Sequence, residues 1–315
     1  MSPVTPEKVL VVGESLVDVV ESQGARSAHP GGSPLNVAFG LSRLDVPTVF
    51  ATEFGSDPYG DAIRAHLEGA GVEVVRSIPS GSTPSGATSV ATARLDASGA
   101  ADYTFALDWR FDASGFGVPA LLHTGSIAAV HEPGASSVRR LIEALSADTL
   151  VSYDPNVRPA VMPGPERTRE LVAWYCRKAH LVKLSDEDAA WLFPGWNPQT
   201  VLDWVLAQGA RVAVLTCGAE GSILRSPSAE VTVPARATAV VDTIGAGDAY
   251  MAGLIWGALN ILGLEHLRSG DILRSELAAL GDVASAVAAL TVARRGAEPP
   301  TLRELQRSLA ASSVN

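Results

Sequence analysis

The densest chemistry in the chain lies in Asp242-Thr243-Ile244-Gly245-Ala246-Gly247-Asp248. Successive small residues let backbone N–H groups approach an anion closely. The apolar run that follows, Ala249-Tyr250-Met251-Ala252-Gly253-Leu254, predicts a buried helix whose positive N-terminal end adds to the attraction. Asp248 stands at the edge of this cradle. A carboxylate there can accept the proton of a substrate hydroxyl while the amides of Gly245, Ala246 and Gly247 stabilise the charge on a phosphoryl group in flight. The segment has neither a Walker-type lysine nor the glycine spacing of a dinucleotide fingerprint, which argues against P-loop and NAD chemistry. An ordinary glycine turn capped by Asp248 is the competing structural account.

Other polar groups stand where apolar segments end. Asp18 interrupts the apolar stretch Leu16 to Val20, and Gly31-Gly32-Ser33-Pro34-Leu35-Asn36 marks a loop-to-helix transition in which Asn36 can equally serve as a cap. Tyr153-Asp154-Pro155-Asn156-Val157-Arg158 follows a strand candidate, as do Lys183-Leu184-Ser185-Asp186-Glu187-Asp188 and Thr216-Cys217-Gly218-Ala219-Glu220-Gly221. Polar residues at strand ends are where α/β folds bind ligands. Each also has a structural alternative: an Asp-Pro-Asn turn with a surface arginine, a helix cap with an acidic first turn, and a glycine-rich hairpin.

The elements that must hold these residues follow from apolar patterning. Lys8 to Val12, Pro47 to Thr52, Leu121 to Gly125, Leu150 to Asp154, His180 to Leu184 and Arg211 to Leu215 predict strands. Between them, the helical candidates include the segment through Asn36, Leu41 and Leu44, then Tyr59 to Ala70, Ser137 to Leu145, Thr168 to Lys178 and Val201 to Gln208. This alternation predicts a mostly parallel α/β sheet. Thr88 to Phe111 reads differently, as two extended segments joined at Asp96-Ala97-Ser98-Gly99. With Leu16 to Val20 it can form a small separate sheet able to move as a cover. Phe105 and Trp109 are its candidate substrate-facing aromatics, with cross-strand packing as the alternative.

The bulk numbers fit one large domain. With 315 residues, 47% hydrophobic and 18% charged, the chain can bury a substantial core. A formal charge of −10 opposes non-specific attraction to nucleic acid or anionic membrane. Cys176 and Cys217 are too few for a disulfide scaffold and form no close metal-ligand pair, as expected of reduced thiols in a cytoplasmic protein. No secretory signal pattern opens the sequence. Met251 to Leu264 is too short for a confident membrane span and reads as a buried helix.

The two blocks Gly31-Gly32-Ser33-Pro34-Leu35-Asn36-Val37-Ala38 and Asp242 to Asp248, in that order, strongly resemble the ribokinase-like, or PfkB, family of carbohydrate kinases, and the resemblance spans nearly the whole chain. It implies a Rossmann-like three-layer αβα fold in one domain over residues 1–315. A small β lid over the sugar would come from approximately residues 14–30 and 88–111. Asp18, Gly31, Gly32 and Asn36 match positions that hold sugar hydroxyls. The Asp154-Pro155-Asn156-Val157-Arg158 stretch looks like the family's DPNxR segment, with Asp154, Asn156 and Arg158 near substrate or phosphate. Lys183 and Ser185 fall in the region that organises phosphate and divalent cation. There the family's Asn-x-x-Glu is replaced by Ser185 and Asp188, so Glu187 and Asp188 are expected to act on Mg²⁺ through water. Thr216, Gly218 and Gly221 resemble the nucleotide loop, and Ser285 is a candidate neighbour of adenine or a helix-surface residue. Asp242 and the carbonyl of Ile244 match part of a monovalent-cation site, for which K⁺ is expected, and the Ala293-Arg294-Arg295-Gly296-Ala297 region resembles its remainder.

The activity implied is ATP-dependent phosphorylation of a sugar hydroxyl with Mg²⁺ present. Within the family the Gly31 to Asn36 start and the Asp154 to Arg158 block look closest to fructokinases, so fructose is the first acceptor to test. Ribose, 2-keto-3-deoxygluconate, another hexose or a nucleoside are alternatives within the same chemistry. A catalytically weak sugar-binding regulator is the alternative of a different class; an exposed lid edge can pair with another subunit as a homodimer, or the same residues can pack within one chain.

Overall fold

The computed structural model describes residues 8–22, 25–77, 86–95, 101–112 and 115–312. The turn expected at Asp96 to Gly99 lies outside the described residues, as do residues 23–24 of the first lid segment.

The chain opens with β1 (Val9–Val12), four buried apolar residues, then runs outward and back as β2 (Leu16–Ser22) and β3 (Ala25–Gly31). It re-enters through α1 (Ser33–Arg43), β4 (Thr48–Thr52), α2 (Pro58–Gly69) and β5 (Glu73–Arg76), and departs again as β6 (Val90–Leu95) and β7 (Ala101–Ala106). Regular alternation follows: β8 (Leu121–Gly125), α3 (Gly134–Ala144), β9 (Leu150–Asp154), α4 (Pro165–Lys178), β10 (Leu181–Ser185), α5 (Asp186–Leu192), α6 (Pro198–Gln208) and β11 (Val212–Thr216). A hairpin, β12 (Ser222–Arg225) and β13 (Glu230–Val233), leads to α7 (Ala246–Gly257), α8 (Leu264–Ser269), α9 (Arg274–Val292) and α10 (Leu302–Ser312).

The main sheet has the order β13-β12-β11-β10-β9-β8-β1-β4-β5 and is parallel from β11 to β5. The β11–β12 and β12–β13 pairs are antiparallel, an edge that the expectation of a mostly parallel sheet did not specify. Helices cover both faces because alternate strand residues point to opposite sides. Val9, Val11, Leu121, Leu150, Leu181 and Val212 pack with α1, α7 and α9 residues such as Leu41, Met251, Leu254 and Leu280. Leu10, Val12, Leu122, Val151, Val182 and Ala213 pack with Val138, Val172, Tyr175 and Val205 on the other side. Each such fully buried aliphatic side chain contributes about 1.5–3 kcal/mol relative to an exposed one.

The apolar stretch expected to be a buried helix forms α7 and a π-helical turn over Ala258–Leu262. By length and composition α9 is apolar enough to cross a membrane, yet it packs against α7, β12 and β13 as a core helix.

A second sheet, β3-β2-β6-β7, stands apart from the first. The sequence flags β2, β6 and β7, whereas β3 carries the polar stretch Arg26-Ser27-Ala28-His29 and becomes a strand by antiparallel pairing with β2. Pairing Asp18 with His29 and Ala91, and Ala91 with Phe105, sets His29, Asp18, Ala91 and Phe105 in one row across the sheet. Such a row shares one face.

Candidate active site

Asp248 sits in the first turn of α7, and Gly245 caps that helix in a left-handed conformation with φ of 74°. A Cβ at Gly245 would meet Ala297 Cβ at 2.5 Å, so both torsion and space demand glycine. The Ala246 amide donates to Thr243 O at 3.2 Å and the Ala249 amide to Gly245 O at 2.8 Å. The Ala246 amide, expected to face the anion, is thus spent on the turn, and among the described residues the amides of Gly247 and Asp248 are left at the helix start without an acceptor.

The Asp248 carboxylate is 8% exposed and is held from α1. Ser33 Oγ donates to its Oδ1 at 2.6 Å and Asn36 Nδ2 donates to its Oδ2 at 2.8 Å. Gly31 and Gly32 precede them, and Gly32 is the α1 N-cap with φ of 110°. Asp18, on β2, lies against Gly31 in the space a Cβ would fill, and is exposed to solvent. Partial removal from water raises the Asp18 pKa, the Asp248 charge adds to the rise, and Arg158 and His29 oppose it. The two sequence blocks and the lid therefore converge on one carboxylate.

Beneath the cradle lies a buried ion pair. Lys183 Nζ donates to Asp154 Oδ2 at 2.8 Å, and the same ammonium is 3.4 Å from the position a Cβ on Gly247 would take. Burial lifts Asp154 to about 6, with Asp188 and Asp248 adding and Lys183 opposing. Burial works against the Lys183 charge, but Asp154, Asp188 and Asp248 outweigh it and hold its pKa above the ordinary value. The pair thus places a fixed cation under the helix start. His123 is fully buried nearby and held neutral, its pKa pushed down to about 3 first by burial and then by Lys183.

The Asp154-Pro155-Asn156 turn forms with the Asn156 amide donating to Asp154 Oδ1 at 3.2 Å and with φ of 36° at Asn156. Asn156 Nδ2 is buried without a hydrogen-bond partner among the described residues, an orphaned donor that a ligand oxygen would satisfy. Arg158 is exposed, and among the described residues it donates to Val157 O, at 3.0 Å, and Asn156 O, at 3.4 Å. Phe105 packs on Leu16, Ala91 and Ile127, giving the lid row an apolar end.

Three further assignments are corrected. Trp109 does not face the cleft: it is 2% exposed, stacks on Phe111 and donates from Nε1 to Ala128 O at 3.2 Å, because the chain has left β7 and entered the core of the main body. Asp188 is not free for a cation. Its Oδ2 accepts from Ser185 N at 2.9 Å and its Oδ1 from Val157 N at 2.7 Å, while Ser185 Oγ accepts from Asp188 N at 3.0 Å. This is a capping box, the structural alternative for the segment, and it also consumes the Ser185 hydroxyl as an acceptor. Glu187 is exposed beside it. Ser285 is not on a helix surface: it is 6% exposed, accepts from Arg236 N at 3.2 Å and donates to Pro234 O at 3.4 Å, tying α9 to the segment after β13.

Thr216 ends β11 and donates to Leu184 O at 3.3 Å. Gly218 and Gly221 take φ of 51° and 96° in the turn that follows, which Cys217 N closes on Gly221 O at 2.7 Å. Asp242 Oδ1 accepts from Ile244 N at 3.0 Å and Oδ2 from Gly296 N at 2.9 Å, and these amides hold its pKa below the usual carboxylate range. An ionised carboxylate beside backbone carbonyls is an oxygen donor set suited to a hard cation. Among the described residues no group of three or more His, Cys, Asp or Glu forms a divalent-metal cage.

Two residues that the sequence did not single out belong to this region. Ser33 lies inside the first glycine block, yet its bond to Asp248 spans 215 positions and has no local signal. Glu14, at the end of β1, is 4% exposed although nothing in the apolar periodicity marks it for burial. Its Oε2 accepts from Ala128 N at 2.8 Å and its Oε1 has no partner among the described residues.

The family model described as pfkB family carbohydrate kinase matches residues 6–304. A fructokinase of Rhizobium leguminosarum bv. trifolii is 31% identical over 266 residues, covering 78% of this chain and 78% of that protein. A solved fructokinase of Xylella fastidiosa with bound ATP superposes with a TM-score of 0.83 at 25% identity, over 98% of this chain and 100% of that one. A fructokinase of Vibrio cholerae O395, solved as a double mutant with fructose, ADP and potassium ion, gives a TM-score of 0.79 at 25% identity over 96% and 98% of the two chains. The chain belongs to the pfkB family of carbohydrate kinases and is an ATP-dependent sugar kinase.

Proposed function

We propose that the chain phosphorylates fructose at its 6-hydroxyl, giving fructose 6-phosphate and ADP, with Asp248 as general base. The observation that carries the reading is the position of the Asp248 carboxylate at the N-terminus of α7, beside free amides and facing both α1 and the lid. Asp18, Asn36 and the Gly31-Gly32 backbone orient the acceptor, with Phe105 against its apolar face and Arg158 at its rim. The hydroxyl proton passes to Asp248 as the new P–O bond forms and the bond from the γ-phosphorus to the β-phosphate bridge breaks. The Gly247 and Asp248 amides and the buried Lys183 ammonium receive the charge that develops on the phosphoryl oxygens.

The turns at Thr216 to Gly221 and Asn156 border the nucleotide phosphates in this reading. Mg²⁺ would arrive with ATP, held by phosphate oxygens and water near the exposed Glu187, and would neutralise phosphate charge. Asp242 and the Ile244 carbonyl would hold K⁺ beside the cradle. The fructose, ADP and potassium of the Vibrio cholerae structure support this choice of ligands, and the fructokinase relatives support the acceptor.

The test is ATP-dependent phosphorylation across fructose, ribose, 2-keto-3-deoxygluconate, other hexoses and nucleosides, with D248A in parallel. Selective formation of fructose 6-phosphate, falling at least about 1,000-fold in D248A, is the expected outcome. Preference for another acceptor replaces fructose and keeps the chemistry, whereas an undiminished D248A removes Asp248 as the base.

A further inference from the structure

Asp248 receives two hydrogen bonds from α1, and the two donors differ in ways that separate their duties. Ser33 is the first residue of α1 and is 8% exposed. Pro34 follows it, itself buried, with its ring in the space a side chain on Gly13 would need, so the start of α1 is pinned against the end of β1. With one side-chain torsion and a fixed backbone, the Ser33 hydroxyl donates to Asp248 Oδ1 and to no other acceptor among the described residues. Asn36 lies one turn further on, is half-buried at the cleft, and carries an amide with both donor and acceptor atoms. Asn36 can reach the base and an acceptor sugar at once.

We propose that Ser33 is a positioning residue for the transfer step: its hydroxyl fixes Asp248 Oδ1, leaving the other carboxylate oxygen aimed at the acceptor hydroxyl. The inference rests on Asp248 being the base. Because Ser33 acts through Asp248 while Asn36 touches the acceptor as well, the two residues divide kinetically. Removing Ser33 lowers the rate of the step and leaves acceptor binding alone. Removing Asn36 weakens both.

The experiment compares wild type, S33A, S33T and N36A with whichever sugar the acceptor panel selects, measuring kcat and KM for the sugar. In S33A we expect kcat to fall about 10- to 100-fold, as for loss of a hydrogen bond to a charged group, with KM within about 2-fold. We expect S33T, which keeps the hydroxyl, to recover most of the rate. A rise in KM together with a fall in kcat is expected in N36A alone. An S33A enzyme with kcat within about 2-fold of wild type overturns the proposal, as does an S33A that raises KM in the manner of N36A. D248A tests the underlying assignment separately: an active D248A removes the base itself, whatever S33A does. Should S33T fold poorly, the S33A crystal structure decides, since an Asp248 carboxylate left unmoved without its Ser33 donor overturns the positioning role.

Discussion

Glu14 enters the folded chain as a carboxyl with one oxygen bonded to the Ala128 amide and the other without a partner among the described residues, in surroundings that exclude water. Burial lifts its pKa from 4.5 to about 7, against the opposing pull of backbone amides, Ser126 and Arg158. Because the folded-state value lies above the unfolded one, the native state binds the proton more tightly. The stability this provides is complete below about pH 4.5 and is lost as pH rises through about 7, a change of about 3 kcal/mol. E14Q keeps the shape and the acceptor while removing the ionisation. Urea unfolding from about pH 5 to about pH 8 should therefore show a shallower decline in E14Q than in wild type, with the variant the more stable by about 2–3 kcal/mol at the alkaline end. Parallel curves would mean that Glu14 is not the group responsible. Lys183 and Asp154 follow a different logic, since each is the other's reason for remaining charged in the interior.

At the scale of elements, the start of α7 is decided by one torsion. Gly245 holds a left-handed conformation against Ala297, and the direction of the Gly247 and Asp248 amides depends on it. G245V adds a β-branched side chain where φ is positive and where a Cβ has 2.5 Å to its neighbour, so the loop must move. A loss of about 100-fold or more in kcat is expected, the scale of removing a charge-stabilising donor. Gly263 supplies the control, with φ of 80° and nothing within 4 Å of the position a Cβ would take. G263A should cost about 1 kcal/mol of stability with kcat unchanged. If both variants keep full turnover, the α7 N-terminus is not the charge-stabilising element. The lid is legible at this scale only in part: β2, β6 and β7 announce themselves by apolar residues, while β3 exists because β2 offers it an edge.

For the whole molecule, the decisive fact is that one sheet is the shared wall of two cores. Val9 and Val11 face α1, α7 and α9, whereas Leu10 and Val12 face α3 and the helices beside it. Neither core survives loss of the strands. Thermal unfolding followed by near-ultraviolet and far-ultraviolet circular dichroism should give coincident, single transitions, as expected for one domain over residues 1–315. Two separated transitions would show that the lid or the β12–β13 edge is an independent unit.

By itself the amino-acid sequence determined the alternation of strands and helices, a candidate anion cradle, the candidate base and the family, because apolar period, glycine clustering and short motifs are local properties. It placed Asp248 immediately before a buried helix and Asp154 at a strand end; Asp154 stands there, whereas the helix begins earlier, at Ala246, and takes Asp248 into its first turn. Tertiary structure alone decided which partners these residues find. Ser33 and Asn36 meet Asp248 across 215 and 212 positions, Trp109 turns into the core, and Asp188 spends both oxygens on backbone amides. Such choices depend on which elements pack together and on whether water is excluded where they meet, and no window of sequence carries that information.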